Sequence, residues 1–105
     1  MPYQTALPNS KYINTNLGLK YLNGNKKLYN KVLKSFLIRY QFLELDKLNN
    51  EKFTSTIHTI KGLSLTLGME KLSLLSTQLH QKKNEQSLKE FSEVLSIIIS
   101  DLTKI

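Results

Sequence analysis

Apolar side chains recur every three or four residues along most of the chain, and this spacing places them on one face of an α-helix. The clearest series predicts a C-terminal helix and consists of Leu88, Phe91, Leu95, Ile98, Leu102 and Ile105. A second series, Tyr29, Leu33, Phe36, Tyr40 and Leu43, predicts a helix that runs to about Leu48. Leu72, Leu75 and Leu79 predict another from Met69 to about Gln81.

Small polar residues and glycines separate these series and predict where the helices begin and end. The expected caps and stops are Asn14 or Thr15, Asn23-Gly24, Asn25, Asn50, Gly68 and Asn84. They define a short first helix and, further along, a third helix from about Glu51 to Leu67. Since short turns reverse the chain direction, we predict an all-α, up-down-up-down antiparallel four-helix bundle with a short additional N-terminal helix.

The third predicted helix places a histidine opposite its apolar stripe. At about 100° per residue, the stripe lies roughly 180–260° away from His58; it contains Phe53, Ile57, Ile60, Ser64 and Leu67. Within about 60° of His58 on the same wheel are Glu51, Thr54, Ser55, Lys61, Gly62 and Leu65. We therefore predict that His58 points into water.

The residues one turn after His58 suggest why it is there. A glycine inside a helix costs roughly 1 kcal/mol relative to alanine, so Gly62 needs an explanation. Its missing side chain leaves the imidazole open to a bulky group from solvent, and Lys61 places a cation on the same side. A neutral imidazole is a nucleophile, so this arrangement favours a phosphoryl group accepted on a ring nitrogen.

Composition restricts the other possibilities. The chain has 105 residues, enough for one domain, and no cysteine, which excludes disulfides, thiolate metal sites and cysteine nucleophiles. Fifteen Lys plus Arg against eight Asp plus Glu give a formal charge of +7, which first suggests a polyanionic or acidic partner. We expect residues 1–12, which contain both prolines, to be a flexible leader or linker remnant, and residues 13–105 to form the domain.

The segment around His58 resembles a known signature. His58, Lys61, Gly62 and Gly68 match the HxxKGxxxxxG pattern of histidine-containing phosphotransfer (HPt) domains. The segments Asn16-Leu17-Gly18-Leu19 and Leu22-Asn23-Gly24-Asn25 are similar to the entry of HPt domains at the C-terminus of hybrid sensor histidine kinases, so the resemblance covers about residues 13–105. It implies a phosphocarrier without kinase activity, which accepts a phosphoryl group from a receiver-domain aspartate and passes it to another receiver.

The resemblance also implies roles for individual residues. His58 would be the phosphoacceptor, Lys61 the stabilising cation, Gly62 the residue that keeps access open, and Ser64 a small inward residue. Many family members carry a glutamine on the following helix that orients the histidine, and here the candidates are Gln78, His80 and Gln81. The stretch between the second helix and His58 is shorter than usual for the family, which puts the length of that helix or its turn in doubt.

The expected partners are response-regulator receiver domains and a sensor histidine kinase, with Leu65, Ser55 and Thr54 on the docking face. The resemblance implies no cofactor of the domain's own, since Mg²⁺ belongs to the partner receiver. We expect no metal site, no nucleic acid and no direct membrane contact. The domain should be a cytoplasmic monomer, either free or attached to a membrane-bound hybrid kinase.

Three alternatives remain. The dimerising helix of a sensor kinase normally has an acidic base after its histidine, whereas this chain has Thr59. A small basic helical nucleic-acid-binding module is suggested by Lys20, Lys26, Lys27, Lys31 and Lys34. The third alternative is an interaction module that is never phosphorylated, and the intact set of His58, Lys61 and Gly62 argues against it.

Overall fold

The computed structural model describes residues 10–104, and helices form most of this range. The α-helices are α1 (Thr15–Tyr21), α2 (Lys26–Tyr40), α3 (Asn50–Thr66), α4 (Glu70–Gln81) and α5 (Glu85–Leu102), with a 3₁₀-helix at Leu45–Lys47. The described residues contain no β-strand, only an isolated bridge between Ser10 and Ile13. The all-α prediction is confirmed. Most of the predicted leader, residues 1–9, lies outside the described range.

Asparagine side chains begin most of the helices, as the sequence predicts. Asn14, Asn25 and Asn84 accept hydrogen bonds from backbone N–H groups in the first turns of α1, α2 and α5. The prediction that Asn50 caps α3 is wrong by one residue, because Asn49 accepts the bond from the Lys52 N–H at 2.8 Å. Asn49 has the extended backbone of a cap, while Asn50 is already helical.

The predicted end of α2 near Leu48 is also wrong, since the helix ends at Tyr40. The apolar residues that follow are used without a continuous helix: Leu45 is buried in the 3₁₀-helix, and Leu43 and Leu48 are partly buried. A helix extended to Leu48 would leave no chain to change direction before α3 begins. The apolar spacing of α2 continues to Leu43, although the helix itself ends at Tyr40.

The core lies where the predicted stripes meet. Its buried members include Tyr29, Leu33, Phe36 and Tyr40 from α2, Phe53, Ile57 and Ile60 from α3, Leu72, Leu75 and Leu79 from α4, and Phe91, Leu95, Ile98 and Leu102 from α5. Helix α3 packs most extensively on α4, α4 on α5, and α5 also contacts α2. Leu88 is only partly buried, and Ile105 lies outside the described residues.

The N-terminal segment packs against the turn between α3 and α4. A Cβ added to Gly18 would lie 2.5 Å from the Tyr29 ring and 2.6 Å from the Leu67 carbonyl oxygen, so α1 can approach the end of α3 this closely only with a glycine at this position. Gly68 has a φ of +82° and also faces the backbone of Asn14, whose N–H donates to the Gly68 carbonyl at 2.8 Å. These contacts fix where α3 ends and α4 begins.

Among the described residues, no helix has both the length and the apolar character needed to cross a membrane.

Candidate functional site

The candidate site lies on the side of α3 that faces away from the core. Phe53, Ile57, Ile60 and Ser64 are buried, which fixes the rotation of the helix and turns His58 outward. His58 is exposed, and so are the other residues predicted on its face: Glu51, Thr54, Ser55, Lys61, Gly62 and Leu65. The helical wheel therefore placed this face correctly.

Gly62 is a glycine that packing does not require. Apart from its chain neighbours and the backbone of its own helix, a Cβ added there would meet no heavy atom of the described residues within 4 Å, whereas one added at Gly18 would clash with the Tyr29 ring and the Leu67 carbonyl. The backbone of Gly62 lies within helix α3, so no positive φ explains it either. The remaining local consequence is open space one turn from His58, at a cost in helix stability.

His80 supplies a second imidazole beside His58. The ring centroids of His58 and His80 are 6.0 Å apart, and their planes are inclined by 45°. Of the three residues that could orient His58, the structure brings His80 to it. All three side chains are exposed, and within residues 10–104 none of them is hydrogen-bonded to His58, so the ring contact is what distinguishes His80.

Two buried serines fix the backbone at Lys61. The carbonyl oxygen of Lys61 accepts hydrogen bonds from the Ser64 hydroxyl at 3.1 Å and from the Ser73 hydroxyl at 3.2 Å. Ser73 comes from α4, so this bond joins the two helices next to the site. Ser64 is buried, in line with the small inward residue that was expected there.

Ser73 was not among the residues predicted for the site, although the sequence contains a clue to it. Ser73 and His80 are seven residues apart, close to two turns of α4, and therefore lie on the same side of that helix. Because Ser73 bonds to α3, this is the side that faces α3. The clue is that Ser73 is small and lies next to the apolar series of Leu72, Leu75 and Leu79, where a small side chain lets two helices approach closely.

The positive charge of Lys61 contacts no carboxylate among residues 10–104. The described ion pairs are Lys47–Glu44 at 2.8 Å, Lys71–Glu90 at 3.1 Å and Lys104–Asp101 at 3.8 Å. Over residues 10–104, Lys61 takes part in none of them, and its side chain is exposed. It can therefore serve an anion that arrives from solvent.

Metal ligands are not grouped in the described part of the chain: no cluster of three or more His, Cys, Asp or Glu side chains is found there.

The arrangement suits one kind of chemistry. An exposed imidazole with a cleared neighbour can attack an electrophile that a bulky partner presents. Lys61 lies on the same face of α3, and the second imidazole is in ring contact with His58, so both could interact with a negative group bound there. Comparisons with family models, with curated proteins and with solved structures find no match to this chain.

Proposed function

We propose that the chain is a histidine-containing phosphotransfer domain of a phosphorelay. It accepts a phosphoryl group on His58 from the aspartate of one receiver domain and passes it to the aspartate of another. One observation carries the proposal: His58 is exposed one turn from Gly62, a helical glycine whose added Cβ would meet open space as far as residues 10–104 are concerned. Access for a protein partner explains both residues.

The proposed architecture is an up-down-up-down bundle of α2, α3, α4 and α5, with α1 across one end. The contacts of α3 with α4, α4 with α5 and α5 with α2 support it, because each pair is adjacent in such a bundle. The contacts of α1 with α2 and α3 suit a helix that covers the end.

The proposed step is an in-line displacement at phosphorus. The unprotonated ring nitrogen of His58 forms the new N–P bond, the bond from phosphorus to the aspartate oxygen breaks, and its electron pair leaves on the carboxylate. The other ring nitrogen holds its proton. In the second transfer, a receiver carboxylate attacks phosphorus and the imidazole leaves with the N–P electron pair.

The chain contributes position and charge, while the receiver supplies the acidic pocket and its Mg²⁺. Lys61 stabilises the phosphoryl group, and Thr54, Ser55 and Leu65 form the docking face. The positive charge also has a role here: α2 carries Lys26, Lys27, Lys31, Lys34 and Arg39 and no acidic residue, which would speed encounter with an acidic receiver rim. We propose that the isolated domain acts as a monomer.

The test is uptake of labelled phosphate from phosphorylated receiver domains. We expect the wild-type chain to be labelled, and His58→Gln to take up none while its helical circular dichroism is unchanged. His80→Gln is the matched control, because it alters the other imidazole of the site. Labelling that persists in His58→Gln would place the acceptor elsewhere and refute the assignment.

A further inference from the structure

The His80 side chain does not belong to the core. The neighbouring Leu79 is buried in the core, whereas the His80 side chain is exposed at the end of α4 and lies 6.0 Å from the His58 ring, centroid to centroid. An exposed position on a helix accepts nearly any polar residue. The feature that distinguishes His80 is therefore its contact with His58.

An imidazole at this point can do what an amide cannot. Both amide and imidazole can donate a hydrogen bond to a neighbouring ring, but only the imidazole can also gain a proton and a positive charge. Histidine is the side chain whose charge ordinarily changes between about pH 5 and 8. A phosphoryl group on His58 would bring negative oxygens close to that second ring.

We propose that His80 is a positioning residue that makes phosphate retention on His58 depend on pH. Neutral His80 orients the His58 ring, and protonated His80 also attracts the phosphoryl oxygens, so as the pH falls the wild type holds the phosphoryl group increasingly longer than a variant without this imidazole. This inference rests on the proposed phosphotransfer function. It adds a regulatory property to the same site.

The other charged groups around the pair do not produce the same dependence. Helix α3 contributes Glu51 and Lys61 on the face of His58, and Lys82 and Lys83 follow α4; the Lys83 ammonium lies over the Phe53 ring at 4.2 Å. Lysine and glutamate ordinarily keep their charge over this interval. His58 is present in every variant compared, so its own contribution cancels in a ratio of lifetimes.

The expected size of the effect on the lifetime follows from the interaction of two exposed charges, the protonated imidazole and the phosphoryl group. Two unit charges a few ångströms apart near a protein surface interact weakly but measurably, and we expect a roughly three- to ten-fold effect on the lifetime of the phosphorylated state. Acid also hydrolyses the N–P bond directly. The informative quantity is therefore the ratio of wild-type lifetime to variant lifetime at each pH.

In the experiment, His58 is phosphorylated in separate samples by two donors: phosphoramidate, which is a small molecule, and a phosphorylated receiver domain. Lifetimes are then measured from about pH 8 to about pH 5.5 for wild type, His80→Gln and His80→Ala, with Gln78→Ala and Gln81→Ala as controls. We expect the ratio of wild type to His80→Gln to rise by the stated factor as the pH falls. His80→Gln should transfer faster than His80→Ala at pH 8, because the amide still orients the ring.

A ratio that stays constant with pH overturns this inference and leaves the proposed function intact. If the wild-type chain is phosphorylated by neither donor, both this inference and the proposed function are overturned. An independent arm observes the unphosphorylated protein: the Cε1–H resonance of His58 should shift in His80→Gln and stay in place in Gln81→Ala. Equal shifts in the two variants would show that the imidazoles are not paired and would refute the positioning role.

Discussion

The Tyr29 hydroxyl donates a hydrogen bond of 2.7 Å to the Leu67 carbonyl oxygen, which joins the first turns of α2 to the end of the histidine-bearing helix. Both residues are fully buried. Burial raises the pKa of Tyr29 to about 12, from an ordinary value of 10.0. The end of α3 is thus held by a phenol that must stay protonated in the folded protein.

This bond predicts a loss of stability in alkaline solution. The unfolded chain releases the Tyr29 proton at lower pH than the folded chain does, so the contribution of Tyr29 is complete below pH 10 and declines towards pH 12. Tyr29→Phe should lower the free energy of unfolding at pH 7 by about 1–3 kcal/mol, because the Leu67 carbonyl loses its buried partner. Urea unfolding at pH 7 and at about pH 11 measures both effects.

Burial also raises the pKa of Tyr40, so wild type and variant must be compared. Tyr29 accounts only for the part of the decrease in unfolding free energy between pH 7 and about pH 11 that is absent in Tyr29→Phe. Identical alkaline losses in the two proteins would contradict the prediction.

Gly62→Ala should separate stability from function. The position is helical and open, so alanine should stabilise the fold by about 0.5–1 kcal/mol. We expect transfer from a receiver to slow by at least about tenfold, because the new methyl group narrows the approach to His58, while loading from phosphoramidate changes little. Thermal unfolding and the two transfer rates test this together.

Gly18→Ala is the control for the stability half of that prediction. Its Cβ would meet the Tyr29 ring and the Leu67 carbonyl, so it should destabilise the fold by about 1–3 kcal/mol. If Gly62→Ala were as destabilising as Gly18→Ala, the glycine would be structural and the access argument would fail.

Lys61→Ala should shorten the lifetime of phosphorylated His58 or slow transfer, by roughly three- to ten-fold, without loss of helical content. The reason is the loss of the cation one turn from the imidazole. Lys52→Ala is the matched control, since Lys52 is an exposed lysine on another face of α3. Equal effects of the two substitutions would point to net charge and would remove the specific role of Lys61.

Leu65→Ala should weaken docking. Leu65 is 45% exposed on the face of His58, and Leu74 on α4 is 51% exposed, so the two leucines form a matched pair. We expect Leu65→Ala to raise the KM for a phosphorylated receiver about three- to ten-fold, as expected for an apolar side chain at a protein interface, and Leu74→Ala to leave it unchanged. Neither should alter loading from phosphoramidate. A normal KM for Leu65→Ala would remove it from the docking face.

The helices and the outward direction of His58 could be predicted from sequence because both depend on local periodicity. The stripe of Phe53, Ile57 and Ile60 fixes one rotation of α3, and His58 follows from it. The end of α2 could not be predicted in this way. Leu43 continues the spacing, yet it lies outside a helix, where it is partly buried against the core.

The choice of His80 over Gln78 illustrates a second limit. On a helical wheel Gln78 and His80 lie about 100° from Leu79, one on each side. Their positions relative to the apolar stripe of α4 are therefore equivalent, and the stripe does not favour one over the other. Only the side on which α3 lies decides between them, and that depends on how the whole chain packs. Ser73 identifies that side through its bond to Lys61, but only once the fold is known.

The contact of Asn14 with Gly68 bears on how the protein can be divided for experiments. Gly68 is in the turn that connects the helices of His58 and His80, and its carbonyl accepts a bond from a residue that precedes α1. A fragment trimmed to begin after residue 14 would contain every residue of the site, yet it would lack one of the ties that hold α3 and α4 at their angle. The distance between the His58 and His80 rings in an excised fragment would therefore depend on where the fragment begins.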